Sequence, residues 1–326
     1  MEIVLQVLLL IIGFILLIKG ADWLVDGASS VASNFKVSKL LIGLTIVAFG
    51  TCAPELAVSF SSILSGSTDI LIGNVIGSNI LNVLLLIGIA AVIHPIKVTK
   101  DTVSKELPLL LLISTALIVL LLDVNLSDAI INTFSRADAI ICLLFFGIFL
   151  YYIIAMAKKN RRGKSAQTDI EKPKYKLGKS FLFVIIGLAG VIGGSQLVVN
   201  SASIIATSFG ISERIISLTI VAFGTSLPEL VTTINAARKH ESDLLVGNIV
   251  GSNIFNICIV LALPVVFAGG ITPNNFQFID LFMLLFSSVL LCFLARHDQE
   301  ISRAEGALML VFFALYYTFI VVGAFA

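Results

Sequence analysis

The chain has 326 residues, of which 58% are hydrophobic and only 13% are charged, and its mean hydropathy is +1.08. A soluble domain carries roughly 25% charged residues, so this composition excludes a globular protein with a fully hydrated surface. The formal net charge of +1 gives no basis for binding nucleic acid, and the four cysteines show no disulfide or zinc-site spacing. The composition therefore predicts an all-α membrane protein.

Ten apolar stretches follow one another along the chain, and most reach the ~20 residues that a helix needs to cross the hydrocarbon core. Helices are favoured because backbone groups in lipid must form their hydrogen bonds within one segment. The predicted transmembrane helices are residues 3–20, 40–64, 70–93, 107–122, 137–157, 180–205, 214–237, 243–268, 277–295 and 306–325.

The basic residues between these stretches predict how the chain is oriented. With the N-terminus outside, 19 of the 21 Lys and Arg residues lie in cytoplasmic loops or at the inner ends of spans, and only Arg136 and Arg214 lie outside. This distribution follows the positive-inside rule. Residues 158–179 then form a basic cytoplasmic loop. We expect a multi-pass protein of the plasma or inner membrane of the cell.

Two sequence motifs occur twice in the chain. TIVAFGTCAPEL, which begins at Thr45, matches TIVAFGTSLPEL, which begins at Thr219, at ten of twelve positions. GNVIGSNILN, which begins at Gly73, matches GNIVGSNIFN, which begins at Gly247, at seven of ten positions. Both matches have the same offset of 174 residues. Apolar composition alone does not produce this agreement, so the chain contains an internal repeat.

The repeat divides the chain into two halves, residues 1–157 and 180–326, on either side of the basic loop. The repeated regions cover about residues 43–88 in the first half and 217–262 in the second. Each half has five predicted spans, and because five is odd, the second half enters the membrane with the opposite orientation. The sequence thus predicts ten transmembrane helices as two inverted five-helix repeats, an architecture in which transporters bind their substrates near the midplane.

Two carboxylic acids lie deep inside predicted spans, Glu55 in the second and Glu229 in the seventh. A charged side chain at that depth is costly, so it faces a cation or a wet cavity, or it carries a proton. No Lys or Arg lies in the middle of a predicted span to neutralise either glutamate. Their matched positions in the two repeats therefore indicate a cation site.

Residues with oxygen atoms accompany the glutamates at helical spacing. They recur every four residues and so share one face of each helix. The four sets are Thr51, Glu55 and Ser59; Thr225, Glu229 and Thr233; Asn74, Ser78 and Asn82; and Asn248, Ser252 and Asn256. Hard cations such as Ca2+ and Na+ prefer oxygen ligands.

A proline stands one residue before each glutamate, at Pro54 and Pro228. Because proline has no N–H to bond the carbonyl four residues back, both helices are predicted to break there and to expose backbone carbonyls. Two carboxylates without a buried base also give the site a formal charge of −2. One Ca2+ or two Na+ would neutralise that charge, which is a basis for exchange, although the count permits several stoichiometries.

The motifs GTCAPE with GNVIGSNILN, and GTSLPE with GNIVGSNIFN, resemble the two alpha-repeats of the sodium/calcium exchanger family, in the calcium/cation antiporter superfamily. The resemblance covers both halves and the ten-span layout. It implies a secondary active antiporter that exchanges Na+ for Ca2+ by alternating access, in which the first and sixth spans slide against the other eight. It also implies one Ca2+ site with several Na+ sites, no enzymatic activity and no cofactor.

The resemblance assigns metal ligands position by position. Glu55 and Glu229 match the central acidic ligands, and Asn82 and Asn256 match the polar positions beside them. The other expected ligands supply hydroxyl, thiol or carbonyl groups, and they are Thr51, Thr225, Ser226, Ser78, Ser252, Ala48, Ala222 and Cys52. The expected partners are Ca2+, Na+ and the lipid bilayer, with no nucleic acid and no obligate protein partner.

Two residues depart from the family pattern. Cys52 stands where a serine ligand is usual, and because a thiol binds Na+ poorly, one sodium site is expected to be weaker or remodelled. Asn256 stands where potassium-dependent relatives and some microbial exchangers carry Asp, and the missing carboxylate argues against K+ cotransport.

The main alternative is a calcium/proton antiporter of the same superfamily, because burial can favour protonated glutamates. Those relatives resemble a GNxxE pattern, and here Gly77 and Gly251 occupy the position of its glutamate. A cation channel would also suit a polar midplane, but two acidic positions make a compact site rather than a ring along a pore. An intramembrane enzyme is disfavoured because no HExxH motif and no pairing of a nucleophile with a base stands out.

Overall fold

The computed structural model of the chain describes residues 2–64, 66, 68–126, 130–162, 173–209, 222–272 and 278–325. Part of the predicted cytoplasmic loop 158–179 lies outside the described residues, as do the first part of the predicted seventh span and Arg214. Within the described residues the fold is almost wholly helical, as the sequence predicts.

The helices of the first half are α1 Glu2–Phe35, α2 Lys39–Ile42, α3 Ala48–Thr51, α4 Ala53–Leu64, α5 Thr68–Leu81, α6 Gly88–Ile93, α7 Leu107–Leu120, α8 Asp123–Leu126 and α9 Arg136–Arg162. Those of the second half are α10 Leu177–Ser208, α11 Ala222–Thr225, α12 Leu227–Arg238, α13 Ser242–Phe255, α14 Ala262–Ala268, α15 Phe278–Asp298 and α16 Arg303–Phe325. π-Helical turns join or extend several of them, at Gly43–Val47, Asn82–Ile87, Thr102–Glu106 and Asn256–Leu261.

Eight described helical stretches are long and apolar enough to cross a membrane. They are Ile3–Phe35, Thr68–Ile93, Thr102–Leu120, Arg136–Lys158, Leu177–Ile205, Ser242–Ala268, Phe278–Asp298 and Arg303–Ile320. The pair Lys39–Thr51 and Ala53–Leu64, which is bent by 44°, adds a ninth if the two helices form one span. Nine predicted spans then coincide with such a stretch, and of the predicted span 214–237 the structure describes Ala222–Thr225 and Leu227–Arg238.

The first helix is much longer than predicted, because it continues past residue 20 to Phe35. The predicted span ends at residue 20, and Asp22 and Asp26 follow it in the sequence. In the structure both carboxylates have partners on other elements. The Asp22 Oδ1 atom accepts a hydrogen bond of 3.0 Å from Asn235, and the Lys239 Nζ atom lies 2.9 Å from Asp26 Oδ1. A helix can therefore carry these acids, since each has a hydrogen-bonding partner on another element.

Two short strand pairs were not predicted. Ile96–Lys97 pairs with Glu300–Ile301, and Phe134–Ser135 pairs with Gly270–Ile271, both antiparallel. Each pair is two residues long and gives no alternating pattern that a sequence could reveal. The first pair joins two loops that the charge distribution places in the cytoplasm, and the second joins two loops that it places outside. The pairing therefore agrees with the predicted grouping of the helix ends.

The spans that carry the Asn and Ser residues of the repeat form the centre of the bundle. The most apolar part of Ser242–Ala268 is 83% buried and that of Thr68–Ile93 is 72% buried, whereas Ile3–Phe35 and Arg303–Ile320 reach only 17%. Polar side chains on the two central spans are thus shielded from lipid by the surrounding helices.

Glycines bring α1 and α10 into direct backbone contact. A Cβ atom on Gly20 would lie 2.7 Å from the Val191 nitrogen, and one on Gly187 would lie 2.5 Å from the Leu24 nitrogen. Small residues that let backbones approach are a general means of packing helices in membranes, where lipid is as apolar as leucine. The α1 and α10 helices therefore form a tightly packed pair.

Gly194→Ala is expected to destabilise this pair, because the added methyl group would lie 2.7 Å from the Leu17 nitrogen and 2.8 Å from the Gly13 carbonyl oxygen. Separating the two backbones should cost roughly 1–3 kcal/mol. Gly193→Ala is the matched control, because a methyl group there meets no described atom within 4 Å. Thermal unfolding of both purified variants in detergent measures the difference, and equal melting temperatures would contradict the packing described here.

Candidate functional site

Two helices are broken at equivalent positions of the repeat. Cys52 has φ −77° and ψ 2° between α3 and α4, and Ser226 has φ −89° and ψ 4° between α11 and α12. Each break lies two residues before a proline, Pro54 or Pro228, which has no N–H to continue the helical hydrogen bonds. The predicted breaks are therefore present in both halves.

One carbonyl released by a break has a partner on a neighbouring span. The Ser195 hydroxyl of α10 donates a hydrogen bond of 2.7 Å to the Gly224 carbonyl oxygen, which Pro228 cannot bond. The residue 174 positions before Ser195 is Ala21, which has no hydroxyl group. The two halves are thus supported differently at this point, and composition gave no indication of it.

The two glutamates are both buried, with Glu55 1% exposed and Glu229 2% exposed. Within the described part of the chain, Glu55 Oε2 and both carboxylate oxygens of Glu229 have no hydrogen-bond partner. Glu55 lies beside Ser226 and close enough to Glu229 for the two carboxylates to interact electrostatically. Glu229 lies beside Thr51 and Cys52. Each glutamate therefore faces the broken helix of the opposite half.

Further contacts join the predicted ligands across the two halves. The Thr51 hydroxyl lies 3.4 Å from Asn248 Oδ1, and the Cys52 thiol lies 3.9 Å from the Ser252 carbonyl oxygen. The Ser226 hydroxyl lies 3.5 Å from the Ser78 hydroxyl. The broken helix of each half thus packs against the central span of the other half.

Asn82 and Asn256, at equivalent positions of the repeat, make equivalent contacts. The Asn82 Nδ2 atom donates to Asn253 Oδ1 at 2.9 Å, and Asn256 Nδ2 donates to Asn79 Oδ1 at 3.2 Å. The Oδ1 atoms of Asn82 and Asn256 are buried and have no hydrogen-bond partner among the described residues. Each amide therefore has its nitrogen occupied and its oxygen available.

The remaining predicted ligands lie on the segments that end at the two breaks. Ala48 is buried, and its carbonyl oxygen accepts a hydrogen bond of 3.4 Å from the Thr51 hydroxyl. Ala222 and Thr225 begin and end α11, the segment equivalent to Ala48–Thr51, and Thr225 is buried. The twelve predicted residues thus fall on the broken helices and on the two central spans.

Asn79 and Asn253 were not among the expected ligands. Both are almost fully buried, and they hydrogen-bond to each other and to the predicted ligands Asn82 and Asn256. Their signal was present in the repeated GSNI sequence, which has an Asn in the same place in both halves. They do not lie on the four-residue spacing of the other polar residues, which is why helical spacing alone passed over them.

Comparison with known proteins gives matches along both halves. The family described as "Sodium/calcium exchanger protein" matches residues 5–155 and 179–322. The inner membrane protein YrbG of Escherichia coli (strain K12) is 38% identical over 307 residues, which cover 92% of this chain and 92% of YrbG. The sodium/calcium exchanger MaX1 of Methanosarcina acetivorans is 32% identical over 338 residues, which cover 95% of this chain and 96% of MaX1.

Solved structures of an exchanger have the same fold. The sodium-calcium exchanger NCX_Mj, soaked with 10 mM Na+ and 10 mM Sr2+, matches with a TM-score of 0.82 at 33% sequence identity. The match covers 98% of this chain and 98% of that chain. The resemblance inferred from the two repeated motifs is therefore confirmed by sequence and by structure over nearly the whole length. The chain belongs to the sodium/calcium exchanger protein family.

Proposed function

We propose that the protein is a secondary active antiporter that exchanges Na+ for Ca2+ by alternating access, without K+. The observation that carries the proposal is the pair of buried glutamates, Glu55 and Glu229, which come from opposite halves and have no described Lys or Arg among their electrostatic neighbours. Membership in a family of cation exchangers supports it, as do the sodium/calcium exchangers among the similar proteins.

The available oxygen atoms support a hard-cation site. Several buried acceptor atoms have no partner in the described residues, and they are Glu55 Oε2, both carboxylate oxygens of Glu229, Ser252 Oγ, Asn82 Oδ1 and Asn256 Oδ1. A buried acceptor without a partner is costly unless a hydrogen-bond donor or a cation binds it. Ca2+ is coordinated by six to eight oxygen ligands. The other proposed ligands are Thr51, Thr225, Ser226, Ser78, Ala48, Ala222 and Cys52.

The charge of the site supports exchange rather than simultaneous binding. Two ionised glutamates supply −2, which one Ca2+ or two Na+ would neutralise. Ca2+ and a full set of Na+ ions together would leave a large excess of positive charge in a low-dielectric site, where like charges repel strongly. The two ion sets therefore compete, and each conformational change carries one of them.

The proposed topology has ten helices in two inverted repeats, residues 1–157 and 180–326, with the N-terminus outside and the loop 158–179 in the cytoplasm. The positive-inside distribution supports this orientation. The strand pairs that join loops on the same predicted side also support it. So does the contact of Lys239 with Asp26, because the predicted topology places both near the cytoplasmic face.

Independence from K+ rests on Asn256, an amide where a carboxylate would add a charge for a further cation. A calcium/proton antiporter is the second candidate, and the specific observation in its favour is that the unpartnered carboxylates could each hold a proton. The sodium/calcium exchangers among the similar proteins favour Na+ over a proton as the coupling ion. No enzymatic activity and no cofactor are proposed.

Proteoliposomes loaded with Na+ are expected to take up 45Ca2+, driven by the outward Na+ gradient, whether or not K+ is present. K+-loaded vesicles are the control. Uptake into both kinds of vesicle is measured with and without an imposed pH gradient. Uptake that follows only the pH gradient would contradict sodium coupling and favour the calcium/proton antiporter. Uptake that needs K+ would contradict the role given to Asn256.

Glu55→Gln and Glu229→Gln are each expected to lower Na+-driven 45Ca2+ uptake by about 100-fold or more, because each removes one of only two charges that hold Ca2+. Glu106→Gln is the matched control, since Glu106 is also fully buried but accepts a hydrogen bond from Tyr152, away from the site. Wild-type uptake in both site variants, with all proteins monodisperse in detergent, would overturn the site assignment.

Cys52→Ser is expected to lower the Na+ concentration that gives half-maximal exchange by a few fold, because a hydroxyl oxygen is a harder ligand than a thiol. The measurement is the Na+ dependence of 45Ca2+ efflux from Ca2+-loaded vesicles. Cys258→Ser, at a buried cysteine outside the proposed ligand set, is the control. A Na+ curve that is the same for Cys52→Ser and the wild type would show that the thiol is not at a sodium site.

A further inference from the structure

We propose that Asn79 and Asn253 are positioning residues that determine which atom of the Asn82 and Asn256 amides faces the transported cation. The inference rests on the proposed function, because it assumes that Asn82 and Asn256 are ligands. Neither Asn79 nor Asn253 needs to touch the ion. They act through hydrogen bonds whose directions are forced, one after another, by the chemistry of the groups involved.

The first step is a reciprocal pair of hydrogen bonds between the two halves. Asn79 Nδ2 donates to the Asn253 carbonyl oxygen at 3.3 Å, and Asn253 Nδ2 donates to the Asn79 carbonyl oxygen at 3.3 Å. A main-chain carbonyl can only accept, so the nitrogen of each side-chain amide must face it. The Oδ1 atom of each amide must then point the other way.

The second step passes this orientation to the ligands. Asn253 Oδ1 meets the amide of Asn82, and Asn79 Oδ1 meets the amide of Asn256. Because Oδ1 is also only an acceptor, Asn82 and Asn256 must turn their nitrogens toward it. Their own Oδ1 atoms then face away from the contact, and these are the buried oxygens that have no partner among the described residues.

This orientation decides whether the two amides attract or repel a cation. A carboxamide presents a partly negative oxygen on one side and a partly positive NH2 group on the other. In a buried site a reversed amide would place donor hydrogens against Ca2+ or Na+, where the low dielectric strengthens the repulsion. Partners behind a metal ligand commonly contribute 10- to 100-fold to metal affinity by fixing its orientation.

Asn253→Leu is expected to raise the Ca2+ concentration for half-maximal exchange by roughly tenfold, with a smaller effect on the maximal rate, because Asn82 loses the acceptor that holds its nitrogen. The Na+ concentration for half-maximal exchange should also rise in the same variant. If the Leu variant does not give a monodisperse protein, Asn253→Ala removes the same acceptor without filling the space. Asn79→Leu tests the equivalent contact to Asn256 in the other half.

A second substitution separates orientation from packing. Asn82→Asp gives residue 82 two oxygens, so either side of the group can face a cation. A carboxylate also has no donor for Asn253 Oδ1, so in this background Asn253 can no longer hold residue 82 through that hydrogen bond. Adding Asn253→Leu to Asn82→Asp should therefore raise the Ca2+ requirement by less than twofold, while adding it to the wild type raises it by roughly tenfold. Equal penalties in both backgrounds would mean that Asn253 only fills space, and would overturn the inference.

The proposed function and the positioning role fail in different ways. If wild-type vesicles show no Na+-driven 45Ca2+ uptake, the proposed function is wrong. Suppose instead that the wild type exchanges ions, and that the folded variants need the same Ca2+ concentration for half-maximal exchange as the wild type. Only the positioning role is then wrong. The variants compared are Asn253→Leu, or Asn253→Ala in its place, and Asn79→Leu. Both proposals are supported if Asn253→Leu raises the Ca2+ concentration for half-maximal exchange in the wild-type background and does not raise it in the Asn82→Asp background.

Discussion

The burial of two carboxylates without a basic partner is the constraint on which the rest of this structure depends. Glu55 and Glu229 are almost fully enclosed, and no described Lys or Arg is among their electrostatic neighbours. Removing a carboxylate from water is costly unless a cation or a proton neutralises it. In the proposed exchanger a transported cation does so, which accounts for the hydroxyl, amide and carbonyl oxygens near the glutamates and for the two helix breaks beside them. That neutralisation also explains why the spans with the Asn residues are the most deeply buried.

The outer pair of helices is joined to this centre by contacts of a different kind. Helices α1 and α10 meet backbone to backbone at glycines, whereas the broken helix of the second half packs Leu227 and Val231 against their apolar side chains and makes polar contacts with them. These polar contacts include the hydrogen bond from Ser195 to Gly224 and the ion pairs of Lys239 with Asp22 and Asp26. Ion pairs that reach water contribute about 1 kcal/mol or less. A tightly joined pair suits the proposed alternating access, in which the first and sixth spans slide against the other eight.

Much of the fold and the site could be predicted from the sequence, because lipid and buried charge leave strong signals. Hydropathy located the spans, and the repeated Pro-Glu located both helix breaks and both carboxylates. The predictions were wrong or silent where tertiary contacts decide. Hydropathy ended the first helix before Asp22, because it does not register the partners on another helix that make an acid tolerable there. Asn79 and Asn253 were passed over because their importance lies in a contact between halves, which no spacing within one half reveals.

The exchange of hydrogen bonds between Asn79 and Asn253 has a consequence for the independence of the two halves. Each half carries an amide whose buried oxygen has no partner among the described residues, but the acceptor that holds the nitrogen of that amide belongs to the other half. A single half expressed alone would contain a glutamate, a broken helix and an amide of undetermined direction. Under the proposed topology, it could complete the arrangement only by meeting a second half of opposite orientation in the same bilayer. In the proposed inverted topology, the covalent link between the halves guarantees a partner of opposite orientation and a one-to-one ratio, which two separate genes would have to regulate.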